Sequence, residues 1–200
     1  MTTLLWCGAV GAWLFIAVFL VDGWTRPGYR PVRHPVSALA LGPRGWVQTA
    51  NFVVCGAAIA AGAAVIPVTG GNVLLAIVVG AFGLALIASG AFPMDAMRSY
   101  PPGIADTTPD ETSLRHRLHD HAGTIVFGAL PLAALICALT PGDPTLRWYS
   151  AATAAGTVVG FIAFGRAWEE DSPRAGLVQR ATIIAGWVWL GIVFVDQSMV

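Results

Sequence analysis

Apolar residues along this chain fall into six long runs, and the polar residues lie almost entirely between them. The runs cover roughly residues 4–22, 46–68, 72–92, 118–139, 148–167 and 178–197. Each is close to the ~20 residues an α-helix needs to cross the hydrocarbon core of a bilayer. They are continuous and rich in Ala, Leu and Gly, unlike the alternating strands of a membrane barrel. The breaks carry turn chemistry: Pro27, Pro31, Pro35 and Pro43 in the first, Thr69-Gly70-Gly71 in the second, Pro141-Gly142-Asp143-Pro144 in the fourth. Short connections make neighbouring helices antiparallel. The pattern predicts an all-α polytopic membrane protein, a six-transmembrane-helix bundle forming one domain over residues 1–200.

Charge placement orients the expected bundle. Ten of the eleven arginines lie in or beside the first, third and fifth loops, and only Arg147 lies on the other side. The positive-inside rule then puts the odd-numbered loops in the cytoplasm and both termini outside, in a multi-pass protein of the cell membrane, as in a bacterial inner membrane. The first run has no basic residue ahead of it and approaches a full span, so it is expected to be retained rather than cleaved as a signal peptide.

Composition excludes several functions. The chain is 56% hydrophobic and 11% charged, with zero formal net charge. Soluble domains carry about 25% charged residues, and no basic field suggests nucleic acid as a partner. All cations are arginine, so chemistry through a lysine Schiff base is excluded. Cys7, Cys55 and Cys137 sit inside apolar runs without metal-ligand or disulfide spacing. Gly156 and Gly160 form a GxxxG, and Ala57 and Ala61 a similar pair; packing within the bundle is the expected use.

Three of the four histidines cluster in Ser113-Leu-Arg-His-Arg-Leu-His-Asp-His-Ala-Gly123. Upstream, Thr108-Pro109-Asp110-Glu111 reads as a helix start, with a cap, a proline in the first turn and a glutamate three residues after the cap. A helix from near Pro109 to about Leu139 would be roughly 45 Å long, so its first turns would stand in the interface. On it, His116, His119 and Asp120 share one face, with His121 about 100° round. Imidazole and carboxylate can bind zinc or iron. No fourth ligand, His-Glu-x-x-His motif or mid-span axial histidine completes a metal or haem site, so no cofactor is expected. The open alternatives are a polar pocket, in which His119, Asp95 and Asp120 would be the proton-handling groups, and a hydrated helix foot bonded to loops.

The other polar clusters belong to the same end. Arg30, Arg33, His34 and Ser37 of loop one are donors suited to a phosphate or carboxylate, or to anionic lipid generally. Asn51 is an amide one turn into the second span and needs a partner. Asp95, just past the third span, suits an ion pair with an arginine, as do Arg166 and Glu169 at the end of the fifth. Gln179 and Arg180 open the sixth span, with Trp187 and Trp189 in mid-span as packing residues.

Taken in order, Arg33-His-Pro-Val-Ser37, Gly45-Trp46 and Asn51, Gly90-x-Phe-Pro-x-Asp95, Tyr100-Pro-Pro-Gly103, a histidine pair entering the fourth span, and Gly176-Leu-Val-Gln-Arg180 leading to Trp187 form a series. The chain thereby resembles the bacterial and archaeal membrane family called domain of unknown function 998, from about Leu5 to Trp189. The resemblance implies a six-helix integral membrane protein and no established reaction. It singles out Pro35, Ser37, Asn51, Phe92, Asp95, Tyr100, Pro101, Pro102, Gly103, His119, Gln179 and Arg180; the His119-to-Gly123 spacing matches the family's entry to span four, whereas His116 and His121 match no such pattern.

These features point to a cytoplasmic-face pocket for an anionic, lipid- or isoprenoid-type ligand, in a binding protein or an enzyme. Arg30, Arg33, His34, Ser37, Asn51, Tyr100, Arg166, Gln179 and Arg180 would hold that ligand, and membrane lipids would surround the bundle. The alternatives are a small-solute transporter or channel, which the scarcity of mid-span polar residues disfavours, and a non-catalytic membrane partner. Oligomeric state is not legible in the sequence.

Overall fold

The computed structural model describes residues 1–105, 107 and 111–199. Its helices are α1 (Thr2–Thr25), α2 (Gly45–Val65), α3 (Val73–Ala91), α4 (Leu114–Leu139), α5 (Pro144–Glu169) and α6 (Ala175–Met199). Short 3-10 turns cover Val36–Ala40 in loop one and Pro67–Thr69 after α2. Among the described residues, six helical segments are long and apolar enough to cross a membrane, the second counted on to Thr69. The helices run a few residues beyond most of the apolar stretches because local caps, not hydropathy, set their ends. Asn72 accepts from the amides of Leu74 and Leu75 at the start of α3, and Asp143 from that of Leu146 at the start of α5. Each cap satisfies amides that the first turn leaves without a partner.

The start of α4 differs from expectation. It begins at Leu114, with Ser113 as its cap accepting from the His116 amide. Thr108, Pro109 and Asp110, expected to begin the helix, lie outside the described residues, and Glu111 precedes the helix. The Ser113 hydroxyl is held in capping position by a carboxylate from another loop, a tertiary contact that no local motif encodes.

Each helix packs on its neighbours in the chain, and α6 returns against α1, so the six close into a ring. Trp187 of α6 sits in the middle, with the Phe15 ring 5.5 Å away, stacked, and the Phe82 ring 4.9 Å away, edge-on. Where α2 meets α3, Gly56 and Gly83 lie back to back, and a Cβ on either would come within 2.7 Å of the other's carbonyl oxygen. The GxxxG glycines divide: Gly160 packs against Thr182 of α6, while Gly156 meets no neighbour. Leu, Val, Ile and Trp side chains on the outside of the ring are exposed, among them Trp24, Val54, Ile77, Leu84 and Val159. An apolar exterior of this kind fits lipid as the solvent, and the chain is built as a multi-pass membrane protein.

The odd loops gather at one end. Pro102 of loop three lies where a Cβ on Gly28 of loop one would be, and Asp171 of loop five pairs with Arg98 at 2.6 Å and Arg33 at 3.7 Å. At the opposite end, loops two and four meet the last turn of α6 around Asn72, Thr140 and Gln197, and Leu4 lies beside Gly62. Both termini are therefore at the end that holds Arg147, away from the other ten arginines.

Candidate functional site

One guanidinium of α6 ties down the middle of loop one. Arg180, 6% exposed, donates Nη1 to the carbonyls of His34 (2.8 Å), Gly176 (3.0 Å) and Pro31, and Nη2 to the Tyr29 hydroxyl. Tyr29 in turn donates to the Pro35 carbonyl at 2.9 Å. The Gln179 side-chain oxygen accepts from the Val36 amide at 2.7 Å. The exchange is mutual: the carbonyls of Arg33 and Val32 accept from the amides of Gly176 and Leu177 in the first turn of α6. Loop one thus supplies partners that α6 lacks, which is why an irregular segment can be buried here.

The titratable groups of this layer are electrically quiet. His34 accepts the Arg30 amide at Nδ1 (3.1 Å) and rests its ring 4.9 Å from that of Tyr100. Burial, then the nearby Arg33, Arg30 and Arg180, push its pKa down to about 4, so the imidazole is neutral. Burial pushes the Tyr29 hydroxyl up to about 12 despite Arg180, and raises that of Tyr100 as well.

A second hub went unseen in the sequence. Asp22, 2% exposed at the foot of α1, binds Arg26 at 2.5 Å and Arg44 at 2.7 Å. Arg26 continues to the carbonyls of Leu41 (2.9 Å) and Arg44 (2.7 Å). The Asp22–Arg26 spacing of four residues was the legible signal; Arg44 joins only through the fold of loop one.

Asp95 does not form the arginine pair expected of it. Its carboxylate accepts the Ser113 amide (2.7 Å) and hydroxyl (2.6 Å), and these bonds hold it below the usual carboxylate range. The Asp95 amide donates to His116 Nδ1 at 3.2 Å, and His116 Nε2 lies 3.5 Å from the Asp120 carboxylate. His116, which matched no family pattern, thus bridges loop three to α4. Arg166 and Glu169, also expected to pair, form no ion pair among the described residues.

His119 is the group with unused capacity. It is 7% exposed, and Nδ1 lies 3.1 Å from the Ser89 carbonyl and 2.9 Å from that of Phe92. Two carbonyls can only accept, so Nδ1 carries the proton and Nε2 keeps its lone pair. No described residue bonds Nε2.

His119 lines a cavity of about 470 Å³ between α4, α5 and α6, at the arginine-rich end. Ser37, His116, Asp120, Glu169 and Gln179 supply its polar wall, and Phe127, Phe161, Phe164 and Trp168 its aromatic one. Phe127 and Phe161 stack across the helix pair at 5.2 Å. A narrow extension of about 40 Å³ continues inward past Ser37, His119, Gly123 and Gln179 to Trp187. Trp187 is 1% exposed and its Nε1 has no partner; a buried donor left so costs about 1–3 kcal/mol.

The sequence of this chain, with the cavity in view, matches the model of a family described as a protein of unknown function (DUF998) over residues 9–196. The chain belongs to the DUF998 family. No curated protein and no solved structure matches it. Of the residues that the sequence singled out in this DUF998 protein, the structure brings His119, Asp120, Ser37 and Gln179 to one cavity, with His116. Arg30, Arg33, His34, Asn51, Tyr100, Arg166 and Arg180 line neither it nor its extension. Asn51 instead donates to the Phe15 carbonyl (3.1 Å) and accepts from Cys55 (3.3 Å). Among the described residues no group of three His, Cys, Asp or Glu could hold a metal ion.

Proposed function

We propose that this DUF998 protein takes one amphipathic, lipid-like molecule into the cavity between α4, α5 and α6. The polar end of that molecule lies by His119 and Asp120, and its apolar part along Phe127, Phe161 and Phe164. The observation that carries the reading is the His119 imidazole: two carbonyls fix its tautomer and leave an unpartnered acceptor in the lining of a cavity with a polar and an aromatic side. Cavities that bind small molecules have this character, mostly apolar with a few placed polar groups. The positive-inside rule places this end of the bundle at the cytoplasmic face, with both termini outside. Asp95 and Arg180 serve this reading only as supports, one for the start of α4 and the other for loop one.

Gly123 gives a direct test. It lines the cavity, and a Cβ there meets nothing within 4 Å, so Gly123→Leu grows into the cavity without displacing backbone. Gly128, on the same helix, is equally open but exposed and away from the cavity. Native mass spectrometry of protein released from lipid nanodiscs should show one retained lipid in the parent and in Gly128→Leu, and loss in Gly123→Leu. Equal lipid occupancy in all three would refute the reading.

A further inference from the structure

The charge around the cavity names its guest, provided that the cavity is the binding site proposed above. Asp120 of α4 and Glu169 of α5 both line it, and no described arginine pairs with either. The side chain beside Asp120 is His116, whose Nδ1 accepts the Asp95 amide. No described arginine lines the cavity. His119 adds another acceptor at Nε2. Beside these acceptors stand Trp168 and Phe164, their rings 6.2 Å apart, whose faces attract cations. The pairing of carboxylates with aromatic faces suits a cationic head and opposes a phosphate, which would meet two carboxylates without a counter-charge.

Trp187 argues independently that the cavity holds a polar occupant. The residue is 1% exposed, its indole N–H has no partner, and it lines the inner extension. That extension has room for about three waters or for an oxygen carried by a guest. Gln179, Ile183 and Trp187 line it on successive turns of α6, so an occupant running from the level of Gln179 to Trp187 spans about 12 Å. A small free cation would leave most of that length empty.

We propose that the cavity selects an amphiphile headed by a protonated amine. Its ammonium sits between Asp120 and Glu169 against Trp168 and Phe164, and donates one N–H to His119 Nε2. Dodecylamine, dodecanol, dodecyl phosphate and methylammonium serve as probes of the intact protein in maltoside micelles at neutral pH, with binding read by native mass spectrometry. Dodecylammonium should bind at least about tenfold more tightly than the other three, as a cation held among carboxylates and rings would. The double variant Asp120→Asn/Glu169→Gln should lose that preference yet still bind dodecanol, and Gly123→Leu should lose every probe. Equal binding of the three long-chain probes, or a preference for the phosphate, would overturn the cation selectivity and leave the cavity reading standing. Methylammonium binding as tightly as dodecylammonium would overturn the amphiphile and keep the cation. Binding unaffected by Gly123→Leu would overturn the cavity reading itself.

Discussion

Ser113 gives both its backbone amide and its hydroxyl to the carboxylate of Asp95, at 2.7 and 2.6 Å, and with the same hydroxyl accepts from the first turn of α4. The helix that carries His119 is thereby started from loop three. Asp95→Ala should lower stability by about 1–2 kcal/mol, the usual cost of a lost cap, and Asp95→Asn by less. Thermal melting in detergent checks this. A parental melting temperature for Asp95→Ala would show that α4 does not depend on the contact.

Arg180 should be irreplaceable by lysine. An ammonium cannot reach the Pro31, His34 and Gly176 carbonyls and the Tyr29 hydroxyl together as the planar fork does. Arg180→Lys should cost about 2–3 kcal/mol, on the scale of charged hydrogen bonds. With no lysine in the parent chain, trypsin cuts only after arginine; Arg26 and Arg30 precede prolines, which block cleavage, so the loop-one bond to follow is Arg33–His34. Limited trypsinolysis should therefore cleave loop one faster in the variant than in the parent.

Asp22 is the most sensitive acidic position. Removing it leaves two arginines facing each other at the foot of α1, with the Arg26 side chain 4% exposed. Asp22→Ala should cost about 3–5 kcal/mol, as for a buried pair stripped of one partner. Arg44→Ala should cost less than Arg26→Ala, because the Arg44 side chain is 45% exposed and already solvated. The order of melting temperatures among the three variants is the measurement; Arg44→Ala as the most damaging would contradict it.

Loop one should loosen in weak acid. His34 is neutral when folded, with a pKa near 4 against 6.5 when unfolded. Above pH 6.5 the group is neutral in both states and titration has no effect on stability. As pH falls from there towards 4, the unfolded state binds the proton first, so stability is lost across that window. Asp95 acts lower: its folded pKa lies below 3.8, so its contribution is lost only as pH falls beneath that value. His34→Gln keeps an acceptor for the Arg30 amide without titrating. It should flatten the part of the melting-temperature profile between pH 6.5 and 4 that His34 supplies. An unchanged slope would assign that window to another group.

Much of the polar end was legible, but as an inventory rather than an arrangement. The sequence placed His119, Asp120, Ser37 and Gln179 at one end, and these do meet at a cavity. It grouped them with Arg30, Arg33 and Arg180 because helix topology brings all of them to the same level. Level alone does not say which way a guanidinium turns. Arg180 turns to loop carbonyls, since an irregular buried loop must have its backbone bonded. Asp22 was overlooked because one carboxylate at the end of an apolar run looks like an interface residue until its two arginines are in place.

What the sequence determined by itself was the set of helices. Six runs of sufficient apolar length leave the backbone no other way to satisfy its hydrogen bonds in lipid, so their number and their antiparallel order follow from composition and spacing. The tertiary structure decided the closure of α6 on α1, the start of α4 at Ser113, and the separation of anchoring arginines from the cavity. Each depends on contacts between residues far apart in the chain, such as Asp95 with Ser113 and Arg180 with Tyr29. Directional bonds of that kind leave no periodicity in the sequence, because only the packed geometry tells a donor which acceptor it will meet.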